Sequence, residues 1–194
     1  MTVCGGALAA EPASVAEALP AILGCADPTG FQALADTLFT DAWPDGLTRQ
    51  EAEGEPLGYM GYRLAHPVDF HGRSVREIGF VQDWIVTPLP RADAQALAAE
   101  LQLERAPMAS TEQHFRFVDG QEGPMFSVFE LGDAFAALFA EDAPPSAVMY
   151  AGCNYRATSR ADFLAQAAQA DDRIGQMRSE ILELLTRPAA GEAE

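Results

Sequence analysis

Two histidines and an aspartate fall within one short run, His66-Pro67-Val68-Asp69-Phe70-His71. Two imidazoles and a carboxylate are the donor set of a facial-triad metal site, and His114 or Glu112 could complete it from a later segment. The spacing opposes this reading. On a regular strand successive side chains alternate, so Asp69 and His71 share a face while His66 points to the other side. A bend at Pro67 would be needed to gather all three. The plain alternative is that these histidines lie on the surface or cap a hairpin.

A second candidate is an anion pocket built from Arg63, Arg76 and Arg116, with Tyr62 nearby. The planar guanidinium fork suits a carboxylate or phosphate. The competing explanation is an exposed strand face on which these arginines pair with Glu77 and Glu112. Three cysteines, Cys4, Cys25 and Cys153, are too few and too widely spaced to imply a disulfide framework or a zinc motif. Cys153 lies in an apolar strand, where an inert buried thiol is expected, and Cys25 follows Gly24 near a helix end.

What the chain lacks removes whole chemistries. All twelve basic residues are arginine, so there is no amine for a Schiff base and no phosphate-loop lysine. Neither a Gly-x-Ser-x-Gly elbow nor a Gly-x-Gly-x-x-Gly loop is present. The net charge of −17 opposes binding to nucleic acid or to an anionic membrane. The acidity is uneven: residues 1–56 carry a net −8, residues 57–131 −4 and residues 132–194 −5. Abundant alanine and arginine without lysine fit a high-GC bacterial genome, and the odd cysteine count fits a reducing cytoplasm. No apolar run approaches the roughly 18 residues that span a bilayer.

The elements that must position these residues follow from periodicity. Ser14 and Glu17 form a capping-box pattern ahead of a first helix that Pro20 should kink or shorten. Asp27-Pro28 begins a second, whose stripe is Phe31, Leu34, Ala35, Leu38 and Phe39. Trp43-Pro44-Asp45-Gly46 ends it, and 48–56 reads as a loop or short helix. Strands are expected at 57–65 and 67–71, and in one long run at 74–87 with a bulge at Gln82-Asp83. A helix follows from about residue 91 with Ala94, Leu97, Ala98 and Leu101 inward. The aromatic-rich segments 111–118 and 125–131 form a second hairpin. Asp133 caps a short helix, and 147–155 is a last strand. From Ser159 the apolar positions Phe163, Ala167, Ala170, Ile174, Met177, Ile181 and Leu184 step alternately by four and three, a heptad seam. Such a seam is the pattern of a helix packing along another helix, within the chain or across a homodimer; the plain alternative is packing on the protein's own sheet.

These patterns predict an α+β protein: a mainly antiparallel sheet of two hairpin-rich segments, helices packed on one face, and a long C-terminal helix. Residues 1–56 form a helical segment, 57–158 the sheet core with helices, 159–187 the C-terminal amphipathic helix and 188–194 a disordered tail. The order of elements resembles that of small acidic dimeric secretion chaperones, a likeness of topology from which no residue role is carried. The expected function is that of an acidic cytoplasmic binding, adaptor or chaperone-like protein. It would act through protein–protein contacts, with a basic partner, no cofactor, and a homodimer interface at Phe163, Ile174, Met177, Ile181 and Leu184. The competing expectation is a small metal-dependent enzyme using His66, Asp69, His71 and His114 with a divalent metal.

Overall fold

The structure, a computed structural model, describes residues 15–40, 46–50, 58–131, 145–156 and 158–186. Helix α1 (Val15–Leu23) runs on past Pro20, held by the burial of Leu19, Ile22 and Leu23. Asp27 caps α2 (Pro28–Phe39) as its sequence signal implies, its carboxylate accepting the Gly30 N–H at 2.8 Å. The Ser14 cap, the Trp43-Pro44-Asp45 stop, most of 48–56, the Asp133 helix and the 188–194 tail lie outside the described residues.

Among the described residues, eight antiparallel strands form one sheet in the order β1-β2-β3-β4-β8-β7-β6-β5. They are β1 (Leu47–Arg49), β2 (Tyr59–Phe70), β3 (Arg73–Val81), β4 (Trp84–Pro90), β5 (Glu104–Arg105), β6 (Gln113–Phe117), β7 (Met125–Phe129) and β8 (Val148–Asn154). Helix α3 (Arg91–Glu100) connects β4 to β5; α4 (Arg160–Ala168) and α5 (Ala170–Thr186) close the chain. The expected antiparallel α+β architecture and C-terminal helix are therefore the observed ones; the helices do not share one face, since α4 packs on the opposite side of the sheet from α1, α2 and α3, and three local differences follow.

First, 57–65 and 67–71 are one strand. Pro67 is accommodated because the β2–β3 register shifts between Arg63 and Val68, so no ladder bond is asked of it there. Second, 74–87 is not one strand with a bulge. It turns back at Gln82-Asp83, with Gln82 left-handed at φ 53° and Val81 paired to Trp84. Third, Leu47–Arg49 is a strand that pairs with residues 62–64 rather than part of a loop or helix.

The main core lies between the sheet and helices α1, α2 and α3, with Ile78, Ile85, Leu97, Val128 and Met149 fully buried. The aromatic residues of the second hairpin turn inward on both sides of the sheet. Phe126 joins the main core, while Phe115 and Phe117 form a smaller cluster with Ala167 on the opposite face. The β6–β7 hairpin therefore buries its rings instead of offering an apolar surface. Among the described residues, no helix is long and apolar enough to cross a membrane.

Candidate functional site

The irregular stretch of β2 leaves His66, Pro67 and Asp69 all exposed. His71 sits at the β2–β3 turn in a left-handed conformation, φ 51°, and its ring meets Phe70 at 4.7 Å and Phe126 at 6.2 Å. Asp69 is occupied with that turn: its Oδ1 accepts the Gly72 N–H at 3.3 Å. His114 lies on β6, its Nε2 3.0 Å from Glu112 Oε1. Among the described residues, no three His, Cys, Asp or Glu side chains gather as a metal would require. The four predicted ligands thus divide among a strand surface, a hairpin turn and a separate polar cluster.

That cluster is built from Arg91, Gln95, Glu112, His114 and Glu130. Arg91, the first residue of α3, reaches Glu112 Oε2 at 2.6 Å, Glu130 and the Ser146 carbonyl. Gln95 donates to both Glu112 oxygens at 3.1 Å, and Glu130 accepts the Glu112 N–H at 3.0 Å. A groove of about 270 Å³ opens beside it, lined by Gln95, Gln102, Leu103, Glu112 and His114 among others. The Glu112–His114 pair has the form of a carboxylate-oriented base. The Ser127 hydroxyl on the neighbouring strand is fully buried and donates to the His114 carbonyl at 2.6 Å, so it faces no substrate. What these groups do is tie α3, β6 and β7 together.

Their ionisation has a visible consequence. Burial pushes the Glu112 carboxyl upward, but hydrogen bonds from His114 and Gln95 and the charge of Arg91 outweigh it and hold the pKa below 4.5. Hydrogen bonds from Ser110 and Ala109 hold Asp171 below 3.8 in the same way. A carboxylate depressed in the folded state stabilises the fold above its unfolded pKa and loses that contribution as pH falls through the folded one. His71 adds a loss at higher pH: burial, then the charges of Arg73 and Arg116, lowers its pKa below 6.5, so protonation favours the unfolded chain. Melting temperature is therefore expected to fall from pH 7 downward. His71→Gln should flatten the part just below pH 6.5, and Glu112→Gln the part below pH 4.5; thermal melts across the range check both.

The three arginines proposed for an anion pocket are not brought together. Arg63 stands opposite Glu77 in the β2–β3 ladder, and Arg76 is exposed on β3. Arg116, on β6 in the other half of the sheet, donates to the Leu101 carbonyl at 3.1 Å.

Two residues that the sequence left unpaired form a covalent bond: Cys25 and Cys153, 128 positions apart, are joined by a disulfide across 5.2 Å between their Cα atoms. The geometry at Cys25 is unusual for its residue type. Helix α1 ends with Ala26 N–H donating to the Ala21 carbonyl and Cys25 N–H to that of Ile22, a Schellman closure. Cys25 occupies the left-handed position of that motif, φ 66°, which glycine normally fills. Tyr155, two residues beyond Cys153, strengthens the same junction. Its hydroxyl donates to the Ile22 carbonyl at 2.7 Å and its ring stacks on Phe31 at 4.3 Å. Burial, with the nearby Asp27 charge, pushes its pKa up to about 12 despite an Asp27 hydrogen bond that acts the other way.

The C-terminal seam divides at Gln169, where α4 stops and α5 begins. Phe163 packs on Phe115 and Phe117, with ring centroids 4.6 and 6.1 Å away, and Ala167 is buried beneath it. Beyond the break the seam is no longer covered. Ile174 and Ile181 are half-buried, Met177 is 45% exposed, and no described side chain of α5 is buried. The Leu184 side chain lies outside what is described. Asp171 anchors the start of α5, accepting the Ala109 and Ser110 N–H groups at 2.7 and 2.8 Å.

No protein-family model, curated protein or solved structure matches the chain. The features that matter most had little signal in the sequence. Neither cysteine carries a motif, and Arg91, Glu112 and Glu130 are separated by chain lengths that only the folded sheet closes.

Proposed function

We propose that this chain is a binding, adaptor or chaperone-like protein that works through protein–protein contacts rather than catalysis. One observation carries the reading: α5 keeps a heptad-spaced apolar strip half-exposed beyond Ala167, the last buried residue among those described. A helix of 17 residues draws most of its stability from packing an apolar face, so a strip left open is one that another protein covers. The net charge of −17 suits a basic protein partner and disfavours nucleic acid and anionic membrane. The Cys25–Cys153 bond favours an oxidising compartment over the reducing cytoplasm that the cysteine count implies.

A photo-reactive residue in place of Met177, activated in the source cells, tests the reading. Cross-links from that position to protein are expected, and Ile174→Asp with Ile181→Asp should abolish them while circular dichroism still reports a folded sheet. Absence of any protein cross-link in the parent would overturn the reading. So would stoichiometric iron, zinc or manganese in the purified protein that is lost in His71→Ala, since that outcome belongs to the metal enzyme.

A further inference from the structure

We propose that α5 pairs with α5 of a second copy of this chain, antiparallel, about a two-fold axis that crosses the helix near Gly175. The inference rests on the reading that protein covers the α5 seam, and it names that protein. A two-fold interface sets the same surface against itself, so the seam must complement its own reverse. It does. Running antiparallel about Gly175, Ile174 of one copy meets Met177 of the other, and the small Ala170 meets the larger Ile181, a layering that lets the two helices interdigitate.

Charge selects this orientation over its opposite. Arg173 and Glu180 each immediately precede a seam residue, both are exposed, and they flank the strip on one side. These are the positions from which charges reach across a two-helix interface and set partner and orientation. In the antiparallel arrangement Arg173 of each copy faces Glu180 of the other, giving two symmetric ion pairs. A parallel pair would instead set position 173 against position 178, arginine against arginine. Arg173 approaches Gln169, at the break before α5, at 3.5 Å, a weak and neutral contact that leaves its charge for the second copy.

Sedimentation equilibrium of the full chain reads the result, since a dimer has twice the 20.8 kDa mass. Arg173→Glu alone and Glu180→Arg alone are each expected to weaken the dimer by roughly tenfold, because each turns two attractions into repulsions. The double variant carrying both changes keeps the net charge and restores the pairs, so its affinity should return to that of the parent. Both residues are exposed and seven positions apart, so neither change disturbs the core or a pair within the helix. A parent chain that stays monomeric at roughly 100 μM would overturn the proposal. So would a double variant no tighter than the singles, or an Arg173→Glu variant that dimerises more tightly, as the parallel arrangement requires. A monomer that still cross-links to a different protein at position 177 would overturn this inference and leave the reading of α5 standing.

Discussion

Reduction of the Cys25–Cys153 bond is expected to lower the stability of the folded chain by about 5 kcal/mol, the chain-entropy value for a closed loop of this length. The bond spans 128 of the 194 positions and ties the end of α1 to a central strand, so on reduction a loop of about two thirds of the chain is no longer closed in the unfolded state. Urea melts with and without a thiol-free reductant measure it, and the Cys25→Ala, Cys153→Ala double variant should melt like the reduced parent and ignore the reductant. An unchanged midpoint on reduction would show that the bond carries no stability. The left-handed backbone at Cys25 supplies a finer test. Without the bond, Cys25→Gly should be more stable than Cys25→Ala by about 1 kcal/mol, because glycine meets φ 66° without strain.

Gly152→Ala is expected to cost about 3 kcal/mol and to threaten the sheet at its middle. A Cβ on Gly152 would lie 2.0 Å from the Ile85 carbonyl oxygen and 2.7 Å from Val86 Cα, both backbone atoms of β4 that no rotamer can move. The damage falls on the β4–β8 ladder, which joins one half of the sheet to the other. Gly175→Ala is the control. Nothing lies within 4 Å of a Cβ there, and the change should stabilise α5 by about 1 kcal/mol. Thermal melts of the two variants are expected to move in opposite directions.

Elements with a local cause were legible in the sequence. Asp27-Pro28 marks the start of α2 because cap and fixed φ act within one turn. Ala94, Leu97 and Ala98 mark α3 because its buried face repeats at the helical period. The β3–β4 turn was not legible, since Gln82-Asp83 lacks the glycine that usually signals a left-handed corner, and the strand pair on either side imposes it. Pro67 looked like a strand end because the sequence does not show that the ladder to β3 is already interrupted there.

The candidate site was read less well, for a related reason. His66, Asp69 and His71 are neighbours in sequence, but a turn and a shifted register decide what each meets. Arg91, Glu112 and Glu130 are distant in sequence and adjacent in space through the β6–β7 ladder. The C-terminal seam was visible from spacing alone. Its division at Gln169, with one part covered by Phe115 and Phe117 and the other open, depends on where the sheet ends.

The position of β8 sets an order on synthesis. Among the described strands it is the last to leave the ribosome, yet it stands between β4 and β7. Until residue 154 has emerged, β4 and β7 each present a row of unpaired backbone groups, and the two halves of the sheet have no common strand. Folding during translation can therefore complete the β1–β4 meander but not the sheet. The nascent chain is exposed to edge-to-edge association during that interval, and arrival of β8 closes both edges at once.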